Sequence, residues 1–252
     1  MTPVARLGVL GGTFDPIHAG HLDAARAARA ALGLDEVVLV PARVPPHRDA
    51  PHASAFHRFA MTALAVAGEP GCLVSDMELR ADGPSFTAHT LARLRARGLA
   101  PSQVFFITGA DAFAEIATWH DYPRVVDAAN WVVVARPGYA HARLDDRLTD
   151  LAPRFVDVPA PGPAGVVASA GESVVNQTIT RLTDDSGHDR GPTRIFVVPA
   201  ATTDVSSTLL RQRFAAGEPV EGLIPPLVAG HVRRHGLYAS SLPAAGLLHE
   251  EE

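Results

Sequence analysis

Residues 11–21, Gly-Gly-Thr-Phe-Asp-Pro-Ile-His-Ala-Gly-His, most restrict what this chain can fold into. The apolar run Leu7-Gly8-Val9-Leu10 precedes them, and an alanine-rich pattern with helical spacing, Leu22 to Leu32, follows. A strand, a glycine-containing turn and a helix start, in that order, make backbone N–H groups converge on an anion. Gly11 and Gly12 permit a sharp turn and a close approach of ligand to backbone. His18 and His21 lie three residues apart at the mouth of the helix, so they face one side and add two donors to its positive end. The arrangement suits a polyphosphate. No Gly-Lys-Ser/Thr follows the glycines, which excludes a Walker loop. The G-x-G-x-x-G dinucleotide spacing lacks its third glycine. Two readings stand beside polyphosphate binding. One is a zinc site on His18 and His21, for which no third ligand stands at recognisable spacing. The other is a tight turn with two surface histidines.

Beyond this loop, strand and helix patterns alternate. Residues 7–10 and 37–40 read as strands buried on both faces of a parallel sheet. Between them residues 21–32 read as a helix, with Leu22, Ala25, Ala28 and Leu32 on one face and Gly33 as its stop. Such a βαβ unit is right-handed. It puts the glycine–histidine loop at the carboxyl end of the first strand, where open α/β sheets bind ligands. Further strands are expected at 72–74, 104–107, 131–134 and 194–198, and helices at 54–67, 85–97, 206–216 and 225–235. In the first of these helices Ser54 is the cap, and Phe56, Ala60, Ala63, Leu64 and Ala67 form the apolar stripe. The expected fold class is α/β, a Rossmann-like doubly wound parallel sheet with helices on both faces. One domain is expected over residues 1–238, with a loop-rich insertion at 140–194 and a disordered tail at 239–252. Within the insertion, residues 173–182 alternate enough for a strand or hairpin arm.

The net charge of −5 over 252 residues argues against a nucleic-acid-binding surface. The twelve histidines are dispersed along the sequence and predict no cluster that could act as a switch. A single cysteine, Cys72, rules out an intramolecular disulfide and fits a reducing compartment. Neither a signal-peptide pattern nor an apolar run of about 18 residues is visible. A cytoplasmic protein with no membrane partner is the expectation.

Six further motifs follow the first in order: Pro45-Pro46-His47-Arg48, Ser85-Phe86-Thr87, Gly109-Ala110-Asp111, Trp119-His120, Arg136-Pro137-Gly138-Tyr139, and Val205-Ser206-Ser207-Thr208 with Arg211. With Gly-Gly-Thr-Phe-Asp-Pro-Ile-His-x-Gly-His they resemble the HxGH nucleotidylyltransferases, and more narrowly the bacterial nicotinate-nucleotide adenylyltransferases. The resemblance implies transfer of AMP from ATP to nicotinate mononucleotide, giving deamido-NAD and pyrophosphate. It places Gly11, Gly12, Thr13, Phe14, Gly109, Asp111, Ser206, Ser207 and Thr208 at ATP. It places Asp15, His47, Ser85, Phe86, Thr87, Trp119, His120 and Arg136 at the mononucleotide. His18, His21, Arg48 and Arg211 are the implied catalytic residues, neutralising charge on the transferring and leaving phosphates. Phe86 departs from the family, where a tyrosine is common, and lacks its hydroxyl.

In-line phosphoryl chemistry needs orientation and charge neutralisation more than a covalent nucleophile. The lack of a serine–histidine–acid triad is consistent with that. Mg2+ is the implied cofactor, bridging phosphate oxygens and held mainly by phosphates and water, so no protein metal site is expected. A homo-oligomer is compatible with this reading. Rival readings put nicotinamide mononucleotide or phosphopantetheine in the acceptor site, or make the chain an ATP-binding module without turnover.

Overall fold

A computed structural model describes residues 6–46, 50–135, 148–158 and 193–239. Each expected apolar run becomes a strand: β1 Leu7–Gly12, β2 Glu36–Pro41, β3 Cys72–Val74, β4 Val104–Gly109, β5 Asn130–Ala135 and β7 Ile195–Pro199. One more, β6 Phe155–Asp157, forms where loop was expected. All pair in parallel, in the order β3-β2-β1-β4-β5-β7-β6. The helices are α1 Ala19–Leu32, α2 Ala55–Val66, α3 Thr87–Ala96, α4 Ala110–Phe113, α5 Arg124–Asp127, α6 Ser207–Ala216 and α7 Pro226–Arg234.

Period-2 alternation gives the sheet two apolar faces. In β5, Val132 and Val134 join the core shared with α1, α2, α6 and α7, whereas Trp131 and Val133 join the core shared with α3, α4 and α5. The sheet is thus doubly wound. Strand order runs one way from β1 to β3 and the other way from β4 onward, so the topological switch lies between β1 and β4. A crevice opens outside the carboxyl ends of strands at such a switch.

The buried face of α1 is the expected one, Leu22, Ala25, Ala28 and Leu32. In α2 the expected stripe is wrong. The buried residues are Arg58, Met61, Thr62, Ala65 and Val66, and Phe56 is 78% exposed. Both sets have helical spacing, and the buried one carries an arginine and a threonine that disguise it. Histidine dispersal along the chain also misleads. His57 of α2 meets His231 of α7 at 3.1 Å between ring nitrogens, and His235 packs against both rings. The stretch 173–182 and the tail beyond residue 239 lie outside the described residues.

Candidate active site

Backbone close approach shapes the loop after β1. A Cβ on Gly11 would stand 3.1 Å from the Phe106 ring, and one on Gly12 would stand 2.7 Å from Phe14. Phe14 has φ 51, a left-handed value that costs a non-glycine residue about 1–3 kcal/mol, and its buried ring holds the turn in place. Asp15-Pro16 is a cis peptide bond. The chain then enters α1 with His18 as the extended N-cap residue.

The two histidines form one unit. The His18 backbone N–H donates to His21 Nδ1 at 3.2 Å, and the rings stack with centroids 3.7 Å apart. Because Nδ1 of His21 accepts, a neutral His21 carries its proton on Nε2. His18 is buried, and desolvation lowers its pKa to about 4 against the opposing pull of the Asp23 carboxylate. It is therefore neutral at pH 7, a hydrogen-bonding group without a charge. Gly20 makes this packing possible: a Cβ there would meet the Thr203 carbonyl at 3.2 Å and the His18 ring at 3.3 Å.

His18 and His21 line a cleft of about 1040 Å³ at the switch point. One wall is Gly11 to Asp15, a second is Thr108 and Gly109 at the end of β4, and a third is Val205 to Thr208 with Arg211. Ser206 caps α6 by accepting from Leu209 N at 3.1 Å. The α6 start is stitched to the loop twice. Ser207 Oγ donates to Pro16 O at 2.9 Å, and Arg211 donates to Asp15 O at 2.8 Å and to Thr208 Oγ1 at 3.2 Å. Two helix N-termini, α1 and α6, thus border one cleft.

A smaller pocket of about 230 Å³ shares Gly11, Gly12, Thr13, Pro46, Thr108 and Ala112 with the cleft. It extends to Ser85, Phe86, Thr87, Trp119 and His120. Trp119 stands edge-on to Phe106 and Trp131, and Phe86 stacks on His120 with centroids 4.2 Å apart. Thr87 opens α3 but does not cap it. The N-cap residue is Phe86, whose side chain makes no cap hydrogen bond to the first turn.

Most of the described motif residues thus gather around two adjoining cavities, while Asp111 lines neither. Asp111 is exposed in the first turn of α4, whose N-cap is Gly109. Asp15 lies in the wall of the larger cleft, where its carboxylate accepts from His52 N, Ala53 N and Tyr238 Oη. His47, Arg48 and Arg136 lie outside the described residues. Three residues beneath the site were not read from the sequence. Arg58, 1% exposed, donates to Thr13 O at 2.7 Å, Ala42 O at 2.5 Å and Arg43 O at 3.0 Å. Tyr238 holds Asp15, and burial beside that carboxylate raises its pKa. Glu78, buried in the wall of the smaller pocket, accepts from the Thr90 hydroxyl. Glu78 had only an unremarkable polar loop around it in the sequence, and Arg58 stood among exposed-looking helix positions.

The cytidylyltransferase-like family model matches residues 9–213, from β1 through the cleft to α6. The chain belongs to the cytidylyltransferase-like family. Within that family it belongs with proteins each named a probable nicotinate-nucleotide adenylyltransferase. The one from Pseudomonas fluorescens is 38% identical over 236 residues, 92% of this chain and 97% of that one. The one from Chromobacterium violaceum is 36% identical over 235 residues, 93% of this chain and 99% of that one. Among solved structures, the nicotinic acid mononucleotide adenylyltransferase of Plasmodium falciparum complexed with NaAD superposes with a TM-score of 0.62. It covers 92% of this chain and 97% of its own, at 13% identity, which is a likeness of fold. Among the described residues of this cytidylyltransferase-like chain, no helix is long and apolar enough to cross a membrane.

Proposed function

We propose that this chain transfers AMP from ATP to nicotinate mononucleotide, releasing pyrophosphate and forming deamido-NAD. The observation that carries the reading is the continuity of the two cavities: a large cleft bordered by two helix N-termini opens into a small aromatic pocket. The cleft would take the ATP phosphates. Backbone N–H groups of the loop, Ser206 to Thr208 and the guanidinium of Arg211 suit that charge. The small pocket would take the nicotinate ring beside Trp119. The α3 start, with no side-chain cap, would face the ring's carboxylate.

In the reaction a phosphate oxygen of the mononucleotide attacks the α-phosphorus of ATP. The new P–O bond forms as the bond to the β-phosphate breaks, and the electron pair leaves with pyrophosphate. His21 Nε2–H and Arg211 would stabilise the growing charge on the leaving group. His18 would donate from a neutral ring. Magnesium would accompany the nucleotide phosphates as their counter-ion. This chain's described residues do not fit a resident metal: no group of three or more His, Cys, Asp or Glu is placed to hold one. Both Asp15 oxygens already accept protein donors.

Nicotinate and nicotinamide differ in charge and hydrogen-bond polarity and hardly in size, so donors must discriminate between them. Two charge-assisted hydrogen bonds supply a preference of at least about 10²-fold in kcat/KM for the acid. Pyrophosphate release with ATP and a panel of nicotinate mononucleotide, nicotinamide mononucleotide and phosphopantetheine tests this directly. Equal rates with the first two would defeat the acceptor assignment, and no release with any would leave only ATP binding.

A further inference from the structure

Glu78 is a buried carboxyl group in the wall of the smaller pocket, and nothing in the proposed chemistry uses it. It is tied to the α3 start through Oε1. Thr90, in the first turns of α3, donates its hydroxyl to Oε1. Ser85, just before the Phe86 N-cap, carries a hydroxyl that eases the cost of burying the Glu78 charge. Ser85 Oγ in turn accepts the N–H of Arg43 at 2.9 Å and of Val44 at 3.3 Å, and Ser85 N donates to Val44 O at 2.9 Å. With two N–H groups arriving at its oxygen, the serine hydroxyl has its proton left to give, and Glu78 is the carboxylate whose charge it favours.

The loop so held is the one that reaches Pro45 and Pro46, which line the pocket. Arg43 reinforces it by donating to Ala81 O at 2.6 Å. From below, Arg58 and Arg93 oppose the Glu78 charge, and Arg58 donates to Arg43 O at 3.0 Å. Glu78 therefore anchors the first turns of α3 through Thr90, and Ser85 ties the residue ahead of the Phe86-Thr87 wall to the loop across from it.

We infer that Glu78 is a positioning residue of the mononucleotide pocket, setting affinity and acid-over-amide selectivity by fixing where the α3 N–H groups point. This rests on the proposed placement of the mononucleotide in that pocket. A carboxylate suits the place because Oε1 accepts the Thr90 hydroxyl and the Ser85 hydroxyl favours its charge. In Glu78→Gln the charge is lost and one of the two positions becomes an NH₂ donor, which weakens the hold on the Thr90 hydroxyl. Burial pushes the Glu78 pKa up against the pull of those hydroxyls, so its protonation should mimic the Gln variant at the acid end of the profile.

Steady-state kinetics on the full chain test this. Glu78→Gln should raise KM for nicotinate mononucleotide roughly 5- to 20-fold and shrink the acid-to-amide preference, leaving kcat and KM for ATP within about twofold. The acid limb of kcat/KM for the mononucleotide should disappear with the carboxyl group. A variant with unchanged mononucleotide KM and selectivity, or with ATP and mononucleotide KM raised alike, overturns the inference. Should Glu78→Gln fail to fold, Ser85→Ala and Thr90→Val remove the two hydroxyls singly. Both must then reproduce the selective rise in mononucleotide KM, and failure of either overturns it as well. Trp119→Ala separates the layers. If it raises mononucleotide KM while Glu78→Gln does not, the pocket stands and Glu78 has no such role. If neither does, the placement of the mononucleotide falls and takes this inference with it.

Discussion

His18 and His21 share one motif but are in different states. His21 accepts at Nδ1 and offers Nε2–H. Losing one transition-state donor lowers kcat by about 10²–10³-fold, so His21→Ala should do so with a smaller change in ATP affinity. Single-turnover kinetics would show it, and a variant with near-normal kcat would take His21 out of the mechanism. His18, with its pKa lowered to about 4 by burial, is a neutral ring awaiting an anion. Its folded pKa lies below its unfolded one, so its contribution to stability is complete above pH 6.5 and is lost as pH falls through 4. The contribution is about 3 kcal/mol at most. A polyphosphate in the cleft reverses the bias and raises the pKa. ATP binding near pH 5.5 should therefore take up protons, measurable by calorimetry in buffers of different ionisation enthalpy. His18→Asn should reduce the uptake to what ATP alone contributes; equal uptake in both proteins would contradict this. The loop itself was legible from sequence because its parts are contiguous. The layer beneath was not. Arg58 meets Thr13 across 45 residues and Tyr238 meets Asp15 across 223, and no local pattern encodes such pairs.

Among the elements, α6 and the turn before it depend on α1 for their position. Asp23 of α1 accepts from Thr203 N at 2.9 Å and from Thr203 Oγ1 at 2.7 Å, a few residues ahead of the Ser206 cap. The Thr203 carbonyl also crowds position 20, where a Cβ would stand 3.2 Å from it. Asp23→Ala should therefore act at the third wall of the cleft while leaving the histidines in place. The expected result is a rise of several-fold in KM for ATP and a stability loss of about 1–2 kcal/mol, read by denaturant titration. An unchanged KM would show that the α6 start holds its place without α1. Helix reading from sequence worked where a face was chemically pure, as with the Leu22 to Leu32 stripe of α1. It failed in α2, where Arg58 and Thr62 occupy the middle of the buried face and alanines cover both sides. A buried arginine there is the signature of loops needing donors, and a hydrophobicity pattern has no means of registering it.

For the whole molecule, six of the seven parallel strands were legible because each is an apolar run, whereas the short β6 and the strand order were not. The meeting of α2 and α7 was not, since it joins residues from opposite ends of the chain. There His57, His231 and His235 crowd together with Arg234 nearby, and burial, then the neighbouring charges, lowers the His231 pKa. A depressed histidine pKa stabilises the fold above its unfolded value near 6.5 and withdraws that support as pH falls below it. Thermal unfolding between pH 7.5 and 5.5 should thus show a decline in Tm that is shallower in His231→Gln, with the His18 share retained in both. Parallel slopes would remove His231 from the acid response. The same end of the chain has another consequence. Tyr238, just past α7, donates at 2.7 Å to Asp15 in the first loop. A ribosome working at about 5–20 residues per second places roughly 10–45 s between those two residues. For all of that time the nascent chain carries its first loop without the hydroxyl that braces it. Unfinished chains would therefore bind nucleotide poorly, and the brace would form only once α7 and the residues just past it have been made.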